Sequence, residues 1–258
     1  MNKFQKDIDK DIILDLIKDN YLMQYLYKYR PLNNENTMKI INDKELWFSD
    51  PSIFNDPFDC KMLSKSNKQD AELIESMFPN IPLKKGIISK TIQINNPHFN
   101  KLVNESIQKV LSMHGICCFS ELNNNILMWS HYADSHKGVC LKFDLLSDPD
   151  LFTLPIKVKY LEEYPEGDFL KEQEEFIFSM LKSKSTDWEY EREVRIYKQK
   201  KGAIKFKKEA LKEVIFGCKT EEKDIEEFKT LVIKNGFNVD FYKAKASNTH
   251  YRLEFNRI

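Results

Sequence analysis

The sequence predicts an α+β fold. Three observations carry that reading. Segments of β character crowd into the second half of the chain instead of alternating regularly with helices. About eight segments have strand-like patterning and about five have the apolar spacing of a helix. There are only seven glycines in 258 residues, and neither GxGxxG nor GxxxxGK[ST] occurs, which removes the signatures of the Rossmann and P-loop nucleotide folds.

Each element has its own reason. From Asp7 to about Lys18, Ile8, Ile12, Ile13, Leu16 and Ile17 recur at helical spacing. Tyr25–Arg30 (YLYKYR) alternates and is rich in β-prone tyrosine, and Pro31 ends it. Asn36–Lys44 reads as a short helix capped by Asn36 or Thr37. Glu45–Ser49 is a short strand, and Pro51–Cys60 is a loop with two prolines and an Asn-Asp-Pro turn. Residues 61–95 are polar and lysine-rich, which suggests a peripheral insert or flap. Asn96-Pro97 opens a helix that Gly115 stops. Gly115–Ser120 has the composition of a buried strand, and Asn123–Tyr132 reads as a loop or short helix. Gly138–Phe143 and Ile156–Tyr160 are strands, Phe169–Lys182 a helix, and Glu191–Tyr197 a strictly alternating strand. Strand, amphipathic helix and strand follow at Glu213–Gly217, Glu221–Lys234 and Val239–Lys243, with a closing strand at His250–Phe255.

Length and charge bound the function. At roughly 100–200 residues per domain, residues 1–258 make a single domain carrying the 61–95 insert. Forty basic residues balance forty acidic ones. That disfavours a protein that coats nucleic acid, although a local basic groove remains compatible. No apolar run reaches membrane-spanning length, and Asp15 interrupts the apolar run of the N-terminal segment. Five cysteines without a CxxC pair fit free thiols in a reducing, cytoplasmic compartment.

Four constellations could carry chemistry. In Tyr27-Lys28-Tyr29-Arg30, Lys28 and Arg30 share one strand face, and Arg30 suits a forked grip on phosphate. The plain alternative is a solvated edge strand with two core tyrosines. The loop Leu46–Cys60 (LWFSDPSIFNDPFDC) presents Asn55 and Asp56 on a proline-stiffened frame, either for a ligand or simply to cap turns. In Gly115–Gly138, Cys117, Cys118, His131, Asp134 and His136 invite a zinc reading. The spacing argues against it: there is no CxxC or HxxxH pair, and histidines five apart do not share a helix face. The fourth is Trp188–Arg195 (WEYEREVR). In a strand, Glu189, Glu191, Glu193 and Arg195 lie on one face. Clustered carboxylates repel unless paired or used, and they raise one another's pKa, which suits acid–base work or stabilisation of a cation.

YKYRPLN, LWFSDPSIFNDPFDC, CFSELNNNILMWSHYADSHKGVCLKFD and WEYEREVRIY, in this order, resemble the bacterial DUF2971 family, a domain of unknown function. IFGCKTEE fits a later strand-to-helix segment of that family, and the resemblance runs from about Tyr25 onward. The NDPFD and LMWSHYA motifs are its most specific parts. A weaker similarity links the chain to the R-S-E layout of ADP-ribosyltransferases. Arg30 matches the arginine, Cys118-Phe119-Ser120 the serine strand, and Glu191-Arg192-Glu193 the Glu-x-Glu motif. The serine motif departs from the pattern, being CFS instead of STS.

That similarity implies a split, curved, mainly antiparallel β core with peripheral helices, and NAD as substrate with no metal. It implies Glu193 as the glutamate that stabilises the oxocarbenium-like transition state, and Glu191 as the residue that orients or deprotonates the acceptor, the choice between the two staying open. It places Arg30 on the pyrophosphate or adenosine ribose and Ser120 beside the nicotinamide ribose. Tyr132 or Phe54 would stack on nicotinamide, with Tyr29 and Asn55 completing the cofactor site. The expected setting is a bacterial toxin or anti-phage defence effector, with a protein or nucleic-acid acceptor and an antitoxin or defence-system partner. Two other readings stand beside it. One is a metal-dependent nuclease gathering Mg²⁺ on Asp56, Asp59, Glu191 and Glu193. The other is a non-catalytic binding module in which the Glu-rich strand is structural.

Overall fold

The computed structural model describes residues 3–64, 105, 107–168 and 172–258. Most of the predicted insert, residues 65–95, and the start of the helix predicted at Asn96-Pro97 lie outside the described residues. Tertiary contacts divide the chain into two compact units. One comprises Met1–Ser49, Gly115–Val158 and Asp187–Ile258; the other comprises Asp50–His114 and Lys159–Thr186.

The first unit is α+β, as the strand-rich second half predicts. Its strands are β1 (Tyr25–Arg30), β2 (Glu45–Phe48), β4 (Gly115–Ser120), β5 (Val139–Asp144), β6 (Pro155–Lys157), β10 (Glu193–Lys198), β11 (Gly202–Lys205), β12 (Leu211–Phe216), β13 (Asp240–Ala246) and β14 (Leu253–Arg257). Eight of these form one open sheet in the order β14-β13-β12-β5-β1-β4-β10-β6. Every pairing is antiparallel except β12–β13. Parallel neighbours need a crossover, and the amphipathic helix α5 (Glu222–Lys234) supplies it. Strands β2 and β11 make a separate antiparallel ribbon.

The sheet has one weak seam. Strand β1 pairs with β5 over six positions, and β4 pairs with β10 over six. Between β1 and β4 only Tyr27 and Ser120 are partners. Lys28 spans this junction: its ammonium donates to the Cys118 carbonyl at 2.9 Å and lies over the Phe119 ring at 5.0 Å.

The alternation of side chains assigns the two faces. Leu26, Phe119, Leu141, Phe143, Val194 and Phe216 pack on the first face with α1 (Lys3–Lys18), α2 (Glu35–Asn42) and α5. Phe119, Phe143, Phe152 and Phe206 meet there edge to face, with centroids 5.4–5.7 Å apart along the closest pairs. Helix α2 starts at Glu35, one residue before the predicted start, because Asn34, not Asn36 or Thr37, caps it, accepting from the Asn36 amide. Thr37 is buried and donates to the Pro31 carbonyl instead. The second face carries a smaller cluster of Tyr29, Cys140, Ile215, Ala244 and Leu253 under α3 (Ile126–Tyr132). Trp129 of α3 is fully buried in it, edge-on to Tyr29 at 5.3 Å.

In the second unit, β3 (Leu63–Ser64) pairs with β8 (Glu166–Gly167), and β7 (Lys159–Leu161) pairs with β9 (Ser183–Ser185), both parallel. Helix α4 spans Gln173–Lys182. Buried Lys184 lies 3.8 Å from buried Asp59.

Candidate functional site

Strand β4 ends where β10 begins, and Ser120 lies directly opposite Glu193. Directly paired residues project to the same face, so the serine and the glutamate are neighbours. Ser120 is fully buried; its hydroxyl donates to the Glu191 carbonyl at 2.6 Å and accepts from the Leu122 amide at 3.1 Å. This pins the turn before β10 to the end of β4.

That turn differs from the sequence prediction. An alternating strand from Glu191 would put Glu189, Glu191, Glu193 and Arg195 in one row. The strand instead begins at Glu193, and Thr186–Glu191 forms a 3₁₀ helix. Arg192 sits between them in the left-handed region, at φ 47°. That reversal takes Glu191 out of the strand's alternation. Glu189 is exposed, whereas Glu191 and Glu193 are each only 4% exposed.

Each buried acid is met by a specific group. Glu193 receives the guanidinium of fully buried Arg195 in a forked pair, Nε to Oε1 at 2.8 Å and Nη2 to Oε2 at 3.1 Å. Cys118 lies opposite Arg195, and desolvation, then the nearby Glu193 carboxylate, push its thiol well up, so it is a neutral thiol. Glu191 accepts from the Tyr132 hydroxyl at 2.6 Å. A third buried acid, Glu121, follows Ser120; Lys157 reaches it at 2.8 Å and Arg192 at 3.4 Å.

Helix α3 is locked to the 3₁₀ turn by three ties. Asn125 caps the helix through the Leu127 and Met128 amides while its own amide donates to the Tyr190 carbonyl at 3.1 Å. His131 Nδ1 lies 2.9 Å from the Tyr190 hydroxyl. The third is the Tyr132–Glu191 bond. Trp129 fixes the helix from below, its indole N–H donating to the Asn123 carbonyl at 2.8 Å.

The structure thus brings Ser120, Glu191, Glu193 and Tyr132 together. It does not bring Arg30 to them. Arg30 alternates with Leu26 and Lys28 on the first sheet face, whereas Tyr27 shares the second face with Ser120. The Arg30 guanidinium donates to Asn34 at 2.6 Å and to Thr37 at 3.3 Å. Tyr29 is on the second face but is spent on the core: its ring meets Trp129, its hydroxyl donates to the Leu122 carbonyl at 2.8 Å, and burial pushes that hydroxyl's pKa up. Phe54, half-buried, and Asn55, exposed, belong to the second unit, just after a 3₁₀ turn capped by Asp50. Among the described residues no three His, Cys, Asp or Glu side chains gather closely enough to hold a metal, and no helix among them is long and apolar enough to cross a membrane. Lys157 carries no signal in the sequence: it sits in an ordinary alternating segment whose pairing to β10 no local pattern announces.

The segment that carries α3 and the start of β10 is also the one that matches a known family model. Residues 128–196 match the model described as "Protein of unknown function (DUF2971)". This segment belongs to the DUF2971 family. The DUF2971 stretch contains Trp129, Tyr132, Glu191, Glu193 and Arg195, so its two ends are the two halves of the Tyr132–Glu191 contact. No curated protein and no solved structure matches the chain.

Proposed function

We propose that the chain is an ADP-ribosyltransferase-like enzyme that takes NAD as its substrate and modifies a macromolecular acceptor, in the manner of a toxin or anti-phage defence effector. The observation that carries the reading is the juxtaposition of a buried serine with two buried glutamates, Ser120 opposite Glu193 and hydrogen-bonded to the backbone of Glu191. Preorganised carboxylates stabilise positive charge best where water is excluded. In this reading the C1′–nicotinamide bond breaks, neutral nicotinamide leaves, and a carboxylate faces the oxocarbenium-like ribose. The acceptor nucleophile then bonds to C1′ and gives its proton to a glutamate. Glu193 is neutralised by Arg195, so Glu191, oriented by Tyr132, is the better placed of the two to act on ribose or acceptor. Arg30, held by Asn34 on the other face, has no part in this arrangement.

The fully buried Glu193–Arg195 pair favours a second reading, a non-catalytic binding module in which that pair is structural. Nicotinamide release from NAD⁺ in EDTA separates the two, with cell lysate supplied as acceptor and melting curves recorded in parallel. Release by the wild type that is lost in a folded Glu191→Gln variant supports the transferase. No release by the wild type under any of these conditions leaves the binding module.

A further inference from the structure

The ribbon of β2 and β11 presents an unusual outer face. Its register pairs Trp47 with Ala203 and Glu45 with Lys205. Leu46 and Phe48 point inward and are fully buried, so by alternation Glu45, Trp47, Ala203 and Lys205 point outward. Trp47 is 48% exposed, and its cross-strand neighbour is only an alanine, which leaves the indole face open.

The charge around this tryptophan departs from the neutral balance of the whole chain. Between 198 and 212 there are seven lysines and one glutamate. Lys198 donates to the Asp150 carbonyl, Lys207 lies near Asp148 and Asp150, and Lys212 lies near Asp144. Lys200, Lys201, Lys205 and Lys208 are exposed. Lys205 shares the outward parity of Ala203, whereas Lys200 and Lys201 lie in the turn that enters β11, before Gly202 at φ 109°, which interrupts the alternation.

We propose that this ribbon is a binding surface for single-stranded nucleic acid, with Trp47 stacking on a base and Lys200, Lys201 and Lys205 contacting flanking phosphates. A half-exposed indole on a lysine-rich ribbon matches that ligand: every base has a face to stack and every linkage carries a charge. A duplex hides its base faces, and an acidic peptide offers the charge without the ring. The inference stands independently of the NAD reading; where both hold, the bound strand is a candidate acceptor.

The test is anisotropy of labelled oligo(dT) and oligo(rU) titrated with the full chain across a salt series. The surface predicts binding at low salt that weakens as salt rises. Trp47→Ala weakens it about tenfold, Trp47→Phe restores most of the loss, and Trp47→Leu, which keeps apolar bulk, does not. Changing Lys200, Lys201 and Lys205 to Gln makes the log K against log salt line shallower by about 2. Glu45→Gln, which removes the acid opposite Lys205, tightens binding. Circular dichroism and melting confirm that each variant is folded. Absence of binding at low salt overturns the proposal, as does binding that Trp47→Ala leaves unchanged. Tighter binding of duplex, or displacement by polyglutamate as effective as by oligonucleotide, also overturns it.

Discussion

Replacing Arg195 with Met tests the energetics at the start of β10. Arg195 is fully buried, Glu193 is 4% exposed, and two hydrogen bonds of 2.8 and 3.1 Å join them. On the surface such a pair would contribute about 1 kcal/mol or less, because water solvates both charges and salt screens them. Burial changes the comparison. Removing the guanidinium leaves a carboxylate in low dielectric without its forked donor, at a cost of about 3–5 kcal/mol. That is a large part of the ~5–15 kcal/mol that holds a typical domain folded. Methionine roughly keeps the aliphatic stem, so the loss reports the charge more than the packing. The double variant Glu193→Gln/Arg195→Met removes both charges and should recover much of the loss, giving a coupling of about 2 kcal/mol or more. Urea denaturation followed by tryptophan fluorescence measures both of these variants and the single variant Glu193→Gln. A single-variant cost below ~1 kcal/mol, or additivity within ~0.5 kcal/mol, refutes the reasoning.

Tyr132→Phe removes the hydroxyl donor at 2.6 Å from buried Glu191 and should cost about 1–3 kcal/mol in the same assay; an unchanged midpoint would show that the bond contributes nothing. Gly217→Ala would place a methyl 2.0 Å from the His136 carbonyl oxygen. Backbone cannot yield there, so a loss near 3 kcal/mol and a lowered melting temperature are expected, and a neutral effect would contradict the packing of the 134–136 turn against β12. His136 is pulled below its ordinary pKa, first by burial and then by Lys219. The unfolded chain therefore binds the proton more readily, and His136 adds stability above about pH 6.5 that is lost as pH falls below it. His136→Gln should flatten that part of the melting-temperature profile, and a slope identical to wild type would argue against the assignment.

How much of this was legible in the sequence varies with the range of the interaction. Strand β1 was read at its observed bounds because alternation and Pro31 are local signals. Helix α5 was read to within a residue, since its apolar stripe and acidic first turn are also local. The start of β10 was misread because strict alternation in EREVRIY continues the strand pattern back through Arg192. Only a backbone reversal, fixed by the Ser120 hydroxyl on the Glu191 carbonyl from 71 residues away, ends it. Strand β11 escaped notice in a lysine-rich stretch, because its pairing with β2 is long-range. Ser120, Glu191, Glu193 and Tyr132 are site residues in the sequence reading through the resemblance to the R-S-E layout. Their grouping depends on the β4–β10 register, which sequence order does not encode. Arg30 shows the converse: an arginine at the right place in the chain falls on the other sheet face because its parity relative to Tyr27 puts it there.

The central claim is that the chemistry sits where Ser120, Glu191 and Glu193 meet, and not at Arg30. The most direct measurement is the rate of nicotinamide release from NAD⁺, with acceptor-containing lysate, for wild type, Glu191→Gln and Arg30→Met side by side. The account predicts a loss of about 100-fold or more for Glu191→Gln and a rate within about threefold of wild type for Arg30→Met. Abolished release in a folded Arg30→Met variant, with Glu191→Gln still active, would contradict it.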